Sequence, residues 1–445
     1  MSSRRVVITG MGWVTPLGTE LDAVWARLLA GDSGLGPITR FEGATFPTNF
    51  AAEVKDFRLS DHVEDTGGYF ARAGMSTQYA LAAATKAWKQ AGLDVATKDG
   101  SVSAEEIGVY LGAGEGSLDF ENYVSTHLAS WKPETKTVDG RAWAARAAEA
   151  MSAVREIEQE PNMTASYVAS AHGCMGPAFN CMTACAASTQ AIGEAFEIIR
   201  RGDAPAMLAG GAHTMIHPLG MTGFIRLTAM SQRRATPQAA SRPFDQTRDG
   251  FVMGEGAGIL VLEELEHAKR RGATILAEVV GYGSSADAFR ITDIQTEGRG
   301  AIAAMSQALR QAGINPREPA EDGRPAVHYI SAHGTGTKEN DKIETLAVKG
   351  VFGPLAAKVP FSSIKSMMGH LIQAAGAVEL ITCVLAIKTG HVPPTMNLQT
   401  PDPDCDLDYV PNKSRDVAGG VNVCFSNSFG FGGQNNTVVV KRYEA

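Results

Sequence analysis

Four short segments carry residue types able to do chemistry. Phe179-Asn-Cys-Met-Thr-Ala-Cys-Ala-Ala-Ser-Thr-Gln places Cys185 between an apolar strand ending near Ala184 and a helix running to Arg201. A thiol at a helix N-terminus meets free backbone N–H groups and the positive end of the helix dipole. Both stabilise a thiolate, and the same N–H groups can receive an oxyanion. A small buried cysteine is the other reading of this position, and the reading given to Cys174 and Cys181. In the second segment, Val327-His-Tyr-Ile-Ser-Ala-His-Gly-Thr-Gly-Thr, a strand delivers His333 into a loop with hydroxyls at Thr335 and Thr337. Strand C-terminal ends are where α/β sheets place their sites; a loop-capping histidine is the bland alternative. In the third, Phe361-Ser-Ser-Ile-Lys-Ser-Met-Met-Gly-His, a strand ends at Lys365. His370 then opens an apolar helix carrying Glu379. The dipole there disfavours imidazolium, so His370 is expected neutral and able to donate Nε2–H to a developing oxyanion. Lys365 and Glu379 are expected to pair. The fourth segment, Asn427-Ser-Phe-Gly-Phe-Gly-Gly, lets backbone approach a ligand, with Phe431 as a flap. It is not a phosphate loop, because Thr437–Lys441 reads as a strand and not as a helix.

These segments need rigid elements behind them. Val6–Thr9, Ile107–Leu111, Ala206–Ala209 and Gly258–Glu263 read as strands. Ala71–Gln90, Ala187–Arg201, Gly300–Gln311 and Ala374–Ile387 read as helices. This alternation predicts an α/β architecture with buried sheets. Thr274–Gly283 restarts with a strand and glycine loop much as Val6–Gly12 does, so a division near residue 273 is expected. Arg141–Gln159 reads as one polar, alanine-rich surface helix. Over 445 residues, 44% are hydrophobic and 20% charged, which excludes wholesale disorder. A net charge of −8 argues against non-specific nucleic-acid binding. No transmembrane helix is expected, and Arg4-Arg5-Val-Val-Ile-Thr reads as a first strand in place of a signal peptide. Six cysteines without CxxC spacing fit a reducing cytoplasm and no metal site.

Cysteine, two histidines, lysine and a glycine loop, each at a strand end, fit acyl transfer through a thioester. The chain resembles the β-ketoacyl-acyl carrier protein synthases of the elongating Cys-His-His branch, over nearly its whole length. The matching motifs are Val6-Val-Ile-Thr-Gly-Met-Gly, Thr183-Ala-Cys-Ala, Pro237-Gln-Ala-Ala-Ser-Arg-Pro-Phe-Asp, Asp249-Gly-Phe-Val-Met-Gly-Glu-Gly-Ala, His333-Gly-Thr-Gly-Thr, Lys365-Ser-Met-Met-Gly-His and Gly430-Phe-Gly-Gly. Each alone is weak; their joint occurrence in this order is specific. The resemblance implies a thiolase fold, with duplicated α/β halves (1–273 and 274–445) in a five-layer αβαβα arrangement, and a homodimer. It implies that Cys185 takes an acyl chain, that His333 and His370 stabilise a malonyl-derived enolate, and that Lys365 and Glu379 set the electrostatics. It further assigns an oxyanion hole to the N–H groups of Cys185 and Phe431, gating to Phe251 and Phe431, and pantetheine contacts to Thr335 and Thr337. No metal or separate cofactor is implied, since the phosphopantetheine arm arrives on the acyl carrier protein.

Three features depart from the fatty-acid pattern. Glu115 stands where an apolar residue usually lines the acyl pocket, which predicts a pocket for a polar, short or unsaturated chain, or a carboxylate turned to a dimer partner. The basic docking patch before the helix Ala71–Gln90 is thin, with Arg72 and elsewhere Arg226. The stretch holding Arg141–Gln159 is longer. A ketosynthase of a specialised polyketide or modified-lipid pathway is therefore expected, with housekeeping fatty-acid elongation as the alternative. Retained Cys185 argues against a chain-length-factor subunit but not against partnership with one. A thiolase on coenzyme A, a cysteine protease and a non-catalytic subunit are the readings from other classes.

Overall fold

The computed structural model describes residues 4–114 and 119–444. Ten strands form one sheet: β1 (Val6–Val14), β2 (Ile107–Gly112), β3 (Ala178–Cys181), β4 (Ala206–His213), β5 (Gly256–Glu264), β6 (Ala277–Ala286), β7 (Tyr329–Ser331), β8 (Phe361–Ser362), β9 (Val423–Gly430) and β10 (Gln434–Lys441). Their order is β8-β7-β9-β10-β6-β1-β5-β4-β2-β3. Strands β3, β2 and β4 run parallel, and so do β8, β7 and β9. The pairs β4/β5, β5/β1, β1/β6, β6/β10 and β10/β9 are antiparallel. Five strands on each side of the β1/β6 junction thus repeat one order and one set of directions.

Strand β1 is buried at all nine positions. That is the pattern of a sheet covered on both faces, not the alternation of a half-exposed one. Helices α1 (Met75–Gln90) and α2 (Met163–His172) cover the outside of the first five strands. Helices α3 (Ala187–Arg201) and α6 (Ala375–Thr389) fill the space between the two strand sets. Helices α4 (Arg299–Gln311) and α5 (Lys338–Phe352) cover the outside of the second set. The result is the five-layer α/β arrangement of the thiolase fold. Close layering needs missing side chains. A Cβ on Gly12 would fall 2.3 Å from the Ala83 carbonyl oxygen of α1, and one on Gly283 1.9 Å from that of Ala304 in α4.

Helix α6 and the 3-10 turn before it form one apolar stretch. Ile372–Thr389 is apolar and long enough to cross a membrane, yet 89% of it lies buried within the fold, between the sheet halves. Some expected elements differ. The strand expected to end at Lys365 covers only Phe361–Ser362, and the helix expected to open at His370 starts at Ala375, after a 3-10 turn over Ile372–Ala374. The helix expected from Ala71 starts at Met75, because Phe70–Arg72 forms a separate 3-10 turn and Ala73 and Gly74 are extended. The stretch expected as one helix over Arg141–Gln159 is two, Gly140–Ala150 and Ala153–Ile157, separated by extended Met151 and Ser152. Asp139 caps the first through the N–H groups of Arg141 and Ala142.

Candidate active site

Strand β3 ends at Cys181, and the chain then turns sharply. Ala184 has φ +48°, a left-handed conformation that a residue with a Cβ rarely adopts. A 3-10 turn over Ala184–Ala186 leads directly into α3. Cys185 is therefore set at the head of α3 as expected, and is 3% exposed. Around it lie Ile216, Met221, Met230, Phe251, Met253 and Ile372, an apolar nest. The end of β9 closes over the turn: a Cβ on Gly430 would be 2.8 Å from the Thr183 carbonyl oxygen and 3.2 Å from the Cys185 nitrogen. Phe431 follows at once, half-buried in the cavity wall.

His333 stands just past β7. Its N–H and that of Gly334 each donate to the Glu344 carboxylate of α5 at 2.8 Å, and Asn427 Nδ2 donates to the same group at 3.2 Å. His370 is held by backbone pairing: its N–H donates to Val252 O at 2.7 Å, and its carbonyl accepts Gly254 N–H at 2.8 Å. Ile372 N–H donates to His370 Nδ1 at 3.2 Å. That bond assigns the ring proton to Nε2, which has no protein hydrogen-bond partner among the described residues. Cys185 Sγ and one nitrogen of each imidazole all lie within 4.8 Å of one another. The two rings meet edge to face at 5.4 Å, and Phe251 meets His370 at the same centroid distance.

Both imidazoles are held well below the ordinary histidine range, by burial first and then by the Lys365 charge. His213 also contributes at His370. Neutrality was expected from the helix dipole; desolvation and a buried cation supply it. Lys365, at the head of the short helix Lys365–Met368, pairs with Glu379 of α6, both side chains being 2% exposed. Burial pushes the Glu379 carboxyl up to about 7 despite that pairing. Glu344 is raised to about 7 by the same cause, against its three hydrogen bonds. Burial also raises the Cys174 and Cys181 thiols to about 12, in keeping with inert cysteines.

A cavity of about 590 Å³ opens from Cys185, His333 and His370 to the surface, lined on the way by Phe251, Phe431, Thr335 and Thr337. The two threonine hydroxyls lie 3.0 Å apart, and Thr337 Oγ1 also accepts the Asn340 N–H as the N-cap of α5. Thr335 is buried. Glu115 lies outside the described residues.

Glu344 and Asn427 behind His333 were missed by sequence reasoning, as was the tie between Asp287 and the glycine loop. Asn435 Nδ2 donates to Asp287 Oδ1 at 2.7 Å, and Asp287 N–H donates to Gly433 O at 2.8 Å. No spacing signals Glu344. It lies eleven residues past His333, on a helix face that reads equally well as solvated.

The β-ketoacyl synthase N-terminal domain matches residues 3–268, and the β-ketoacyl synthase C-terminal domain matches residues 276–399. The chain belongs to the β-ketoacyl synthase family, and is an enzyme of the acyltransferase kind. It is 41% identical over 444 residues to the 3-oxoacyl-[acyl-carrier-protein] synthase 2 of Synechocystis, spanning 100% of this chain and 99% of that one. The protein of the same name from Coxiella burnetii is 40% identical over 450 residues, with 99% of each chain covered. Among solved structures, the ishigamide ketosynthase/chain length factor superposes with a TM-score of 0.85 at 35% identity, covering 100% of both chains. A type II polyketide acyl carrier protein in complex with its ketosynthase bound to the hexaketide gives 0.84 at 32% identity, again covering 100% of both.

Proposed function

We propose that the protein catalyses a decarboxylative Claisen condensation between an acyl group on Cys185 and malonyl-acyl carrier protein. The carrying observation is one buried thiol with two neutral imidazoles within 4.8 Å at the floor of a cavity. In the first half-reaction Cys185 attacks an acyl thioester and the carrier thiol leaves. In the second, malonyl thioester loses carbon dioxide, and the electron pair passes to an enolate whose oxygen accepts N–H bonds from His333 and His370. The enolate carbon then attacks the acyl-Cys185 carbonyl, the cysteine thiolate leaves, and 3-oxoacyl thioester forms. The Cys185 and Phe431 N–H groups hold the tetrahedral oxyanion. Residues 1–273 supply the nucleophile and 274–445 the two histidines. No further cofactor is needed, because the pantetheine arm comes with the substrate; Thr335, with Thr337 beside it, lies along its path.

The pathway is read as specialised polyketide or modified-lipid synthesis, on Glu115 in the sequence and the thin basic patch. One observation favours the second reading, housekeeping elongation: identity to the 3-oxoacyl-[acyl-carrier-protein] synthase 2 relatives, at 41%, exceeds the 35% to the ishigamide ketosynthase. A dimer, homomeric or with a chain-length-factor-like subunit, is supported by edge strand β3. Its outer pairing side is open among the described residues, and Met175, Phe179 and Met182 stand exposed beside it. The test is incubation with acyl- and malonyl-loaded acyl carrier protein. Carbon dioxide release, a 3-oxoacyl product and an acyl mass on Cys185 are expected; the product and the acyl mass are absent in Cys185→Ala. If none appears, a non-catalytic subunit is the better reading.

A further inference from the structure

We propose that the cleft at the N-terminal ends of β7 and β8 binds a phosphoryl group, either free phosphate or a small phosphomonoester. The cleft holds about 270 Å³ and is lined by Arg324, His328, Lys358 and Arg415, with Asp408 and Asp416. His333 and Lys365 follow the other ends of the same two strands, and the cleft shares no residue with the cavity at Cys185. The proposal stands independently of the condensation reading.

A buried donor in the cleft lacks an acceptor. His328 is 7% exposed. Its backbone N–H donates to Val423 O at 2.8 Å, and its Nδ1 accepts the Val423 N–H at 3.2 Å. The second bond puts the ring proton on Nε2, and Nε2 has no hydrogen-bond partner among the described residues. Burial first, and then the Arg324 charge, holds the imidazole below the ordinary histidine range, so the ring is a neutral N–H donor. The two bonds to Val423 fix the ring, and Nε2 cannot turn away to find an acceptor elsewhere. A buried N–H without an acceptor is costly and rare in a folded protein. A ligand oxygen in the cleft satisfies it.

The surrounding charges favour an anion. Three cations line the cleft against two carboxylates, in a chain whose net charge is −8. Both carboxylates are engaged, Asp416 with His391 Nε2 at 2.7 Å and Asp408 with Arg415. Arg324 is held in place by Asp322 Oδ2 at 2.7 Å and by the carbonyls of Ala418 and Gly420 at 2.9 and 2.8 Å. Those bonds use Nε and Nη1 and leave Nη2. Lys358 is exposed and in no ion pair among the described residues. An imidazole N–H, guanidinium N–H groups and an ammonium thus border one cleft from three chain segments. A phosphoryl group brings three acceptor oxygens and up to two charges to them, where a carboxylate brings two oxygens and one charge. Guanidinium forks and ammonium point charges are the usual recognisers of that group.

The experiment follows the unfolding temperature of the full chain while inorganic phosphate is raised to about 50 mM, with ionic strength held constant by sodium chloride. A rise of about 2 °C that saturates, with its half-point at a few millimolar, is expected. Lys358→Met removes only an exposed side chain, and is expected to move the half-point up about tenfold. His328→Phe is expected to abolish the saturating part, and sodium acetate to produce none. Glycerol 3-phosphate separates the two sources: a rise at least as large assigns the cleft to a phosphomonoester, and a rise with inorganic phosphate alone assigns it to the free ion. A rise that stays linear in phosphate is the general exclusion of that salt from protein surfaces. That result overturns the site. So does a curve in Lys358→Met identical to that of the unmodified protein, or an equal response to acetate.

Discussion

Lys365 never needs to touch a substrate to matter at the site. Its ammonium is buried, and its charge is the second cause, after burial, that keeps His333 and His370 neutral. Two neutral imidazoles are what the condensation needs, because each must present an N–H to an oxyanion without carrying a proton that the enolate could take up. The sign of the pH dependence follows. Removing the cation raises both histidine pKa values, since imidazolium no longer meets a like charge. Glu379 does not compensate: without Lys365 its carboxyl protonates more readily still, having been at about 7 with the pairing intact. Lys365→Met is therefore expected to lower turnover by roughly 10²-fold and to move the acid limb of the pH–rate profile towards neutrality. The profile of kcat/KM between about pH 5 and 9 checks it. A Lys365→Met enzyme that is slower with an unmoved acid limb would show that the lysine acts by packing alone.

At the scale of elements, the site is a meeting of strand ends, and what places each side chain is backbone. His370 is pinned by the pairing of 252–254 with 369–371, where a Cβ on Gly254 would come within 2.6 Å of the Met368 carbonyl oxygen. Gly254→Ala is expected to push that segment away. The result is a loss of about 1–3 kcal/mol in urea unfolding for the overpacking, and a fall in turnover of around 10²-fold for a shift of about 1 Å in His370. Full activity in a folded Gly254→Ala protein would mean that the pairing does not position the histidine. These backbone causes also decide what was legible in the sequence. Cys185, His333 and Lys365 were legible because each comes within a few residues of a short strand's end, and His370 because it follows Gly369 shortly before an apolar helix, a local pattern. The 3-10 start before α1 and the break at Met151 were not, because alanine-rich stretches read as helix throughout. Ala184 was not legible either, since nothing in Thr-Ala-Cys-Ala announces a left-handed alanine. Glu344 and Asn427 come from α5 and β9, and only the three-dimensional crossing puts them on His333. The apolar nest of Ile216, Met221 and Met230 was likewise hidden, since its members derive from loop and helix segments without strand-like alternation.

For the whole molecule, concentrating buried titratable groups between two strand sets makes stability depend on pH in a predictable direction. His213, His333 and His370 are buried and hold pKa values below the ordinary 6.5, His213 down to about 3 by burial and by His217. A depressed histidine stabilises the fold above its unfolded pKa and loses that contribution as pH falls. His172, His217 and His328, also lowered by burial, act in the same sense. Glu344 and Glu379, raised to about 7, act in the opposite sense: their contribution is complete below the unfolded carboxyl value and disappears as pH rises through about 7. Each proton by which the two states differ is worth about 1.4 kcal/mol per pH unit. Between about pH 6.5 and about 4.3 the three buried imidazoles outnumber the two carboxyls, so stability declines gently as pH falls. Below about 4.3 the opposing carboxyls no longer differ between the states, and the decline steepens. Glu263 steepens it further: burial would raise this carboxyl, but hydrogen bonds from Arg271, His267 and Thr9 outweigh that and hold it at about 2. The measurement is the urea midpoint, followed by tryptophan fluorescence, at about pH 7.5, 6.5, 5.5 and 4.0. A maximum near 6.5, a shallow fall to 5.5 and a collapse towards 4.0 are expected. A midpoint that held level from 6.5 to 4.0 would mean that these imidazoles are charged inside the folded protein, and a charged His370 cannot be the neutral donor that the condensation requires.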